Sequence, residues 1–152
     1  MTGSPLSLRP IETRDAAPWR QLWTGYLTFY KTELPEAVYE TSFARLCDPE
    51  VTDYQGLLAE RDGQILGLVH YIYHRHGWHI APVCYLQDLY TVPQARGQGV
   101  ARALIEAVYD AADRDGAASV YWTTQEGNAT ARALYDQVAQ VTDFIKYTRV
   151  PA

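Results

Sequence analysis

The chain has 152 residues, of which 47% are apolar, 12% aromatic and 20% charged, and its formal charge is −5 at neutral pH. That length suits one domain and buries enough surface to need neither metal nor disulfide staples, which excludes small stapled scaffolds. The acidic balance, with only Lys31 and Lys146 beside eleven Arg, argues against a nucleic-acid partner, because neutralising phosphate backbones needs clustered cations; Arg in that excess can hold anions bidentately.

The longest apolar stretches, such as residues 65–69, stop well short of the roughly 20 residues of a membrane-spanning helix. Residues 1–10 lack a basic region followed by an apolar run. No membrane partner and a cytoplasmic location are therefore expected. Cys47 and Cys84 form neither a CxxC pair nor a zinc spacing and read as small buried hydrophobes. Without a repeat, a low-complexity run or a linker, residues 1–152 read as a single domain.

Residues 6–10 alternate like a short strand. Asp15 and Pro18 then open a helix in which Trp19, Leu22, Trp23, Tyr26, Leu27 and Tyr30 recur at helical spacing. A second helix runs from Pro35 through Val38, Phe43 and Leu46 until Asp48-Pro49 ends it. From residue 56 to 75 the period switches to two, with a turn at Asp62-Gly63 between residues 57–60 and 65–74, which predicts a hairpin. Residues 83–92 read as the next strand, ended by Pro93. Val100, Leu104, Ile105, Val108 and Ala112 share one face of a helix that Asp115-Gly116 closes. Residues 120–123 suggest a short strand, 128–138 a further amphipathic helix and 144–150 a last strand. The predicted order is β-α-α-β-β-β-α-β-α-β.

The chemistry concentrates in residues 85–101, where a strand feeds a glycine-containing turn that opens a helix. Free N–H groups at such a helix start, with the positive end of its dipole, suit phosphate oxygens. Gly97 and Gly99 permit positive φ and close approach of the backbone to a ligand, although an isolated Gly-x-Gly is more often a plain loop. A P-loop would need Gly-Lys-Ser/Thr, whereas Val100 and Ala101 follow Gly99. A dinucleotide fingerprint would need a third glycine where Arg102 stands. ATP, GTP and nicotinamide cofactors are thereby disfavoured.

Residues 96–101, Arg-Gly-Gln-Gly-Val-Ala, match the acetyl-coenzyme A signature Q/R-x-x-G-x-G/A of the GCN5-related N-acetyltransferases, and the chain resembles that family. The resemblance extends over residues 88–93, which look like the preceding strand. It also covers residues 121–124 and the Asn128-x-x-Ala131-x-x-Leu134-Tyr135 run, which look like the fifth strand and fourth helix. Within the family the chain looks most like the subgroup that includes yeast histone and polyamine acetyltransferases. The implied fold is α/β (α+β): a central mixed, mostly antiparallel twisted sheet flanked by about four helices. The implied cosubstrate is acetyl-coenzyme A, met by Leu89, Tyr90, Thr91 and Val92 on the strand. Arg96, Gly97, Gln98, Gly99, Val100 and Ala101 would meet it at the turn, and Asn128, Ala131 and Arg132 on the late helix.

Asn128, Ala131, Arg132 and Tyr135 fall at i, i+3, i+4 and i+7 and so share a helix face. By resemblance Tyr135 protonates the departing thiolate. A phenol of pKa near 10 is a suitable donor to a thiolate of about 8.5. Amine attack needs a neutral amine, so the ammonium must lose a proton to a carboxylate or through water. Asp88 is the candidate base, its alternative being a structural ion pair with a neighbouring Arg. Backbone N–H groups around residues 89–91 would meet the oxyanion.

The acceptor is expected over the first two helices, with Tyr26, Tyr30 and Glu33 as candidate contacts. The acidic elbow of Glu33, Glu36 and Glu40 favours a cationic amine such as a polyamine, an amino acid, an amino sugar or a basic peptide. Trp19, Trp23, Tyr26 and Tyr30 could line that site, although such stripes are usually core. His70, His74 and His76 would share a strand face, but they span about 20 Å at ~3.3 Å per residue, too far for one metal ion. A solvent-facing histidine hairpin is expected instead.

The expected activity is direct acetyl transfer to a primary amine in a ternary complex. Its rivals are a cofactor-binding regulatory module without turnover, which would have no thiolate for Tyr135 to protonate, and an enzyme acting on protein lysines or N-termini. After Tyr135 the family plan has two more strands, yet residues 139–152 suffice for one. The resulting open edge suggests a homodimer.

Overall fold

The computed structural model describes residues 4–151. In chain order it contains β1 (Ser7–Pro10), α1 (Ala16–Phe29), α2 (Glu36–Cys47), β2 (Tyr54–Arg61), β3 (Gln64–His74), β4 (Val83–Thr91), α3 (Val100–Arg114), β5 (Val120–Tyr121) and α4 (Ala129–Val138). Short 3-10 turns at Thr13–Asp15 and Pro93–Ala95 precede α1 and α3.

The five strands form one sheet in the order β1-β2-β3-β4-β5. The first four pair antiparallel and β5 joins β4 in parallel, giving a mixed, mostly antiparallel sheet with four helices. Asp62 (φ 53°) and Gly63 (φ 77°) make the two-residue turn between β2 and β3. Two successive left-handed residues match the twist of a tight hairpin. A parallel neighbour needs a crossover, and α3 supplies it between β4 and β5.

The two sides of the sheet are covered differently. On one, Val100, Leu104, Ile105, Val108, Ala111 and Ala112 of α3 are buried against the strands. On the other lie α1, burying Trp19, Leu22, Trp23 and Leu27, and α2, burying Leu46. Each aliphatic side chain fully buried here contributes about 1.5–3 kcal/mol. Arg9 of β1 ties the strands to the start of α1: it donates to both oxygens of Asp15 at 2.8 and 2.9 Å and to Glu60 of β2 at 3.0 Å. That guanidinium holds the Asp15 carboxyl below the usual carboxylate range.

Two expectations are corrected at the last elements. The strand expected at 120–123 pairs only at Val120 and Tyr121. Residues 144–150, expected as a strand, have no ladder partner among the described residues, and Phe144 and Tyr147 are 85% and 89% exposed. A two-residue edge offers no row of N–H and C=O groups on which a further strand could zip. No helix among the described residues is long and apolar enough to cross a membrane.

Candidate active site

The turn that opens α3 has the backbone its glycines imply. Gly97 and Gly99 take φ of 77° and 82°, and a Cβ at either would meet nothing within 4 Å, so both face open space. Arg96 N–H donates to Pro93 and Ala103 N–H to Gly99. Between them, the amides of residues 97–102 have no acceptor among the described residues. A run of free N–H groups at the positive end of a 15-residue helix is a cradle for an anion. The flanking side chains brace the turn: Arg96 Nε donates to the Thr91 carbonyl at 3.2 Å, and Arg61 donates to Gln98 Oε1 at 3.0 Å. Val100 is buried and Ala101 half-buried.

The helix start sits close to the sheet because β3 has no side chain beneath it. A Cβ on Gly67 would come within 2.8 Å of Val100 Cγ1 and 2.9 Å of the Tyr90 carbonyl oxygen.

Beside this turn the parallel strands part. Pairing between β4 and β5 ends at Tyr85 and Tyr121, while β4 stays paired with β3 as far as Thr91. The edge of β4 carrying Leu89, Tyr90 and Thr91 therefore has a strand on one side only, and Val92 beyond it is buried with its N–H on the Leu66 carbonyl. α4 is capped by Asn128, whose side chain accepts from the Ala131 N–H at 3.4 Å. Arg132 turns back onto the Glu126 carbonyl at 2.7 Å. One turn further along α4, Tyr135 is half-buried with its ring 5.4 Å from that of Trp122. Burial, and next the neighbouring Tyr30, push its hydroxyl above the usual phenol range, so it holds its proton.

On the α1 side β4 is irregular. His70 pairs with Asp88 but Tyr71 pairs with Leu86, so Gln87 is an extra residue. Such a bulge re-aims the side chain beside it. Asp88 is only 5% exposed. Its Oδ2 lies 2.8 Å from His70 Nδ1 and accepts from Trp23 Nε1 at 3.3 Å. The partner is thus a buried histidine and an indole, not the Arg of the alternative weighed from sequence. Burial, followed by the Asp88 charge, raises the hydroxyls of Tyr26 and Tyr30, whose rings are 5.0 Å apart. Asp88, Tyr26, Tyr30 and Tyr135 accordingly form a chain of neighbours from the bulge of β4 to the face of α4.

Other sequence candidates fall elsewhere. Glu33 is exposed in the segment between α1 and α2 and makes no side-chain hydrogen bond or ion pair among the described residues. Glu36 is engaged by Arg20, so the acidic elbow is partly neutralised. Trp19 and Trp23 are core, with only the Trp23 N–H reaching the site. The expectation of a solvent-facing histidine hairpin is corrected at His70, which is 0% exposed because the strand face it shares with Asp88 lies under α1. His74 is exposed and bonded to the Tyr121 hydroxyl at 2.7 Å. Cys84 is buried and its thiol pushed up to about 11 by that burial, which leaves it a poor nucleophile.

An anion cradle at a helix start, a parted pair of parallel strands and a half-buried tyrosine on the next helix are the features expected of a site for acyl transfer from a phosphate-bearing thioester. Residues 18–139 match the acetyltransferase (GNAT) family. The chain is 40% identical over 150 residues to the D-amino-acid N-acetyltransferase HPA3 of Saccharomyces cerevisiae, covering 98% of this chain and 93% of that protein. It is 30% identical to the uncharacterised N-acetyltransferase YhfO of Bacillus subtilis, over 97% and 99% of the two chains. Its fold matches that of AAC(6')-Iy in complex with a CoA-S-monomethyl-acetylneamine bisubstrate analogue, with a TM-score of 0.84 at 18% identity over 98% and 100% of the chains. The chain belongs to the GNAT family; it is an N-acetyltransferase whose cosubstrate is acetyl-coenzyme A. The free amides at 97–102, with open space in front of Gly97 and Gly99, fit the anionic pyrophosphate of that cosubstrate.

Proposed function

We propose that the protein acetylates the primary amine of a small molecule, with amino acids foremost, and that Asp88 receives the substrate's ammonium. The observation that carries this reading is a carboxylate nearly closed from solvent yet close to two half-buried tyrosines, Tyr26 of α1 and Tyr30 just past its end. A buried anion of this kind attracts a cationic head group much more strongly than the exposed glutamates can. The name of the yeast relative, a D-amino-acid N-acetyltransferase, supports the choice of amino acids over peptides.

In this reading the α3 turn binds the cosubstrate's phosphates and the free edge of β4 orients its acyl arm. The N–H groups around Leu89, Tyr90 and Thr91 stabilise the oxyanion. Asp88 draws the ammonium in and accepts its proton directly or through water. Tyr135 delivers a proton to the departing thiolate. We also propose that the chain forms a homodimer through residues 144–150, supported by the exposed apolar side chains there.

The test is coenzyme A release with D- and L-amino acids, polyamines, amino sugars and basic peptides, for wild type and Asp88→Asn. Release with free amino acids and a kcat/KM at least about tenfold lower in the variant is the expected outcome. Release with peptides alone would favour a protein acceptor. Binding of acetyl-coenzyme A with no release across the panel would favour a regulatory module.

A further inference from the structure

His70 is a fully buried imidazole that the transfer steps leave unused. It sits on β3 directly across from Asp88. The Trp19 indole N–H lies 3.0 Å from His70 Nε2. An indole nitrogen only donates, so Nε2 is the acceptor and carries no proton. The ring is therefore neutral with its proton on Nδ1, and that N–H donates to Asp88 Oδ2 at 2.8 Å. The Trp23 N–H adds a second bond to the same oxygen. Among the described residues no N–H donor reaches Oδ1.

The ring is also held in place. Trp23 and Tyr54 meet it edge-on with centroids at 5.5 and 5.7 Å. A Cβ on Gly56 would come within 3.2 Å of His70 Cδ2, so glycine there leaves room for the imidazole.

We propose that His70 and Trp19 are positioning residues for Asp88: the relay from Trp19 through His70 fixes Oδ2 and aims the other carboxylate oxygen at the incoming ammonium. The inference rests on the reading that Asp88 meets the amine. Trp19 selects the tautomer, His70 passes a directed N–H to the carboxylate, and Asp88 presents one oxygen in a set orientation before substrate arrives. The device works in the ground state, so its loss appears in the handling of the amine and not of acetyl-coenzyme A.

The experiment is steady-state kinetics on the full chain with an amine that the wild type acetylates, comparing Asp88→Asn, His70→Leu, His70→Gln, His70→Asn and Trp19→Phe. In His70→Asn the amide nitrogen takes the place of Nδ1 and keeps the bond to Asp88. In His70→Gln the amide reaches the place of Nε2 instead. The expected result is a kcat/KM for the amine about tenfold to hundredfold lower in His70→Leu and His70→Gln. His70→Asn should recover most of the loss, Trp19→Phe should fall by a smaller factor, and the KM for acetyl-coenzyme A should stay within about twofold throughout.

Equal behaviour of the Asn and Gln variants would make His70 a packing residue and overturn the proposal. So would full activity in His70→Leu, or, should that variant not fold, full activity in Trp19→Phe. Unchanged amine kinetics in Asp88→Asn would remove the underlying reading as well. Loss in Asp88→Asn with none at His70 would remove this inference alone.

Discussion

Tyr135 keeps its phenol in a half-buried place beside Trp122 and Tyr30, and both burial and Tyr30 raise its pKa above the ordinary value of 10. A raised value favours the protonated form at neutral pH, as the proposed acid role requires. Tyr135→Phe removes the proton and little volume. Its kcat should fall by about 10²–10⁴ with the KM for acetyl-coenzyme A nearly unchanged, as measured by coenzyme A release; an unaltered kcat would take the acid role away from Tyr135. This residue was legible because its spacing from Asn128 and Ala131 was visible in the chain. His70 was not. Its alternation with His74 and His76 is correct for one strand face, but nothing in the strand's own residues tells that a tryptophan-rich helix covers the end at residue 70 and leaves residue 74 exposed. The histidine beside Asp88 is hidden for the same reason: the register of β3 against β4, which brings it there, is not written in either strand alone.

The two helices and the strand that carry the proposed cofactor contacts depend on close approaches between elements. Gly67→Ala would drive a methyl group to within 2.8 Å of Val100 and 2.9 Å of the backbone of Tyr90. The contacts with Val100 and Leu104 push on the first turns of α3, and the Tyr90 contact, being backbone, pushes on β4 itself, so the turn and the strand beside it must both shift. We expect a loss of about 1–3 kcal/mol in stability and a raised KM for acetyl-coenzyme A with little change in KM for the amine; both are read by thermal melts and kinetics, and equal effects on the two substrates would show that the shift is not confined to the turn and that strand. A second joint lies between β1, β2 and α1. The folded pKa of Asp15 is depressed by Arg9, so its stabilisation is present above the unfolded carboxylate value near 4 and is lost as pH falls through the lower folded value. Asp15→Asn should cost about 2 kcal/mol at neutral pH, or a Tm lower by about 5 °C, and the difference from wild type should shrink below pH 4. Helices α1 to α4 and the hairpin were readable from period and caps, because each has a continuous apolar face and strong stop signals. Residues 144–150 have a strand's composition but no strand, because forming one needs a partner edge that the two-residue β5 does not supply.

For the whole molecule, that unpaired segment leaves a run of apolar side chains exposed. Phe144, Ile145, Tyr147 and Val150 are all exposed within seven residues, and an aromatic side chain alone has ~150–250 Å² to bury. Two copies that exchange or abut these segments would approach the roughly 1,000 Å² that a specific interface requires. A second copy suits the surface better than a charged partner, since the segment has only Asp143, Lys146 and Arg149 about it. By light scattering at micromolar concentration the chain is expected at twice its 17.2 kDa. Ile145→Glu with Tyr147→Glu should return it to a monomer, because each charge would have to be buried without a partner. Because Asp88, Tyr26, Tyr30 and Tyr135 all belong to one chain, the monomeric variant should retain kcat per chain. A wild type that scatters as a monomer would refute the dimer, and a variant that is monomeric and inactive would mean that the second copy completes the site.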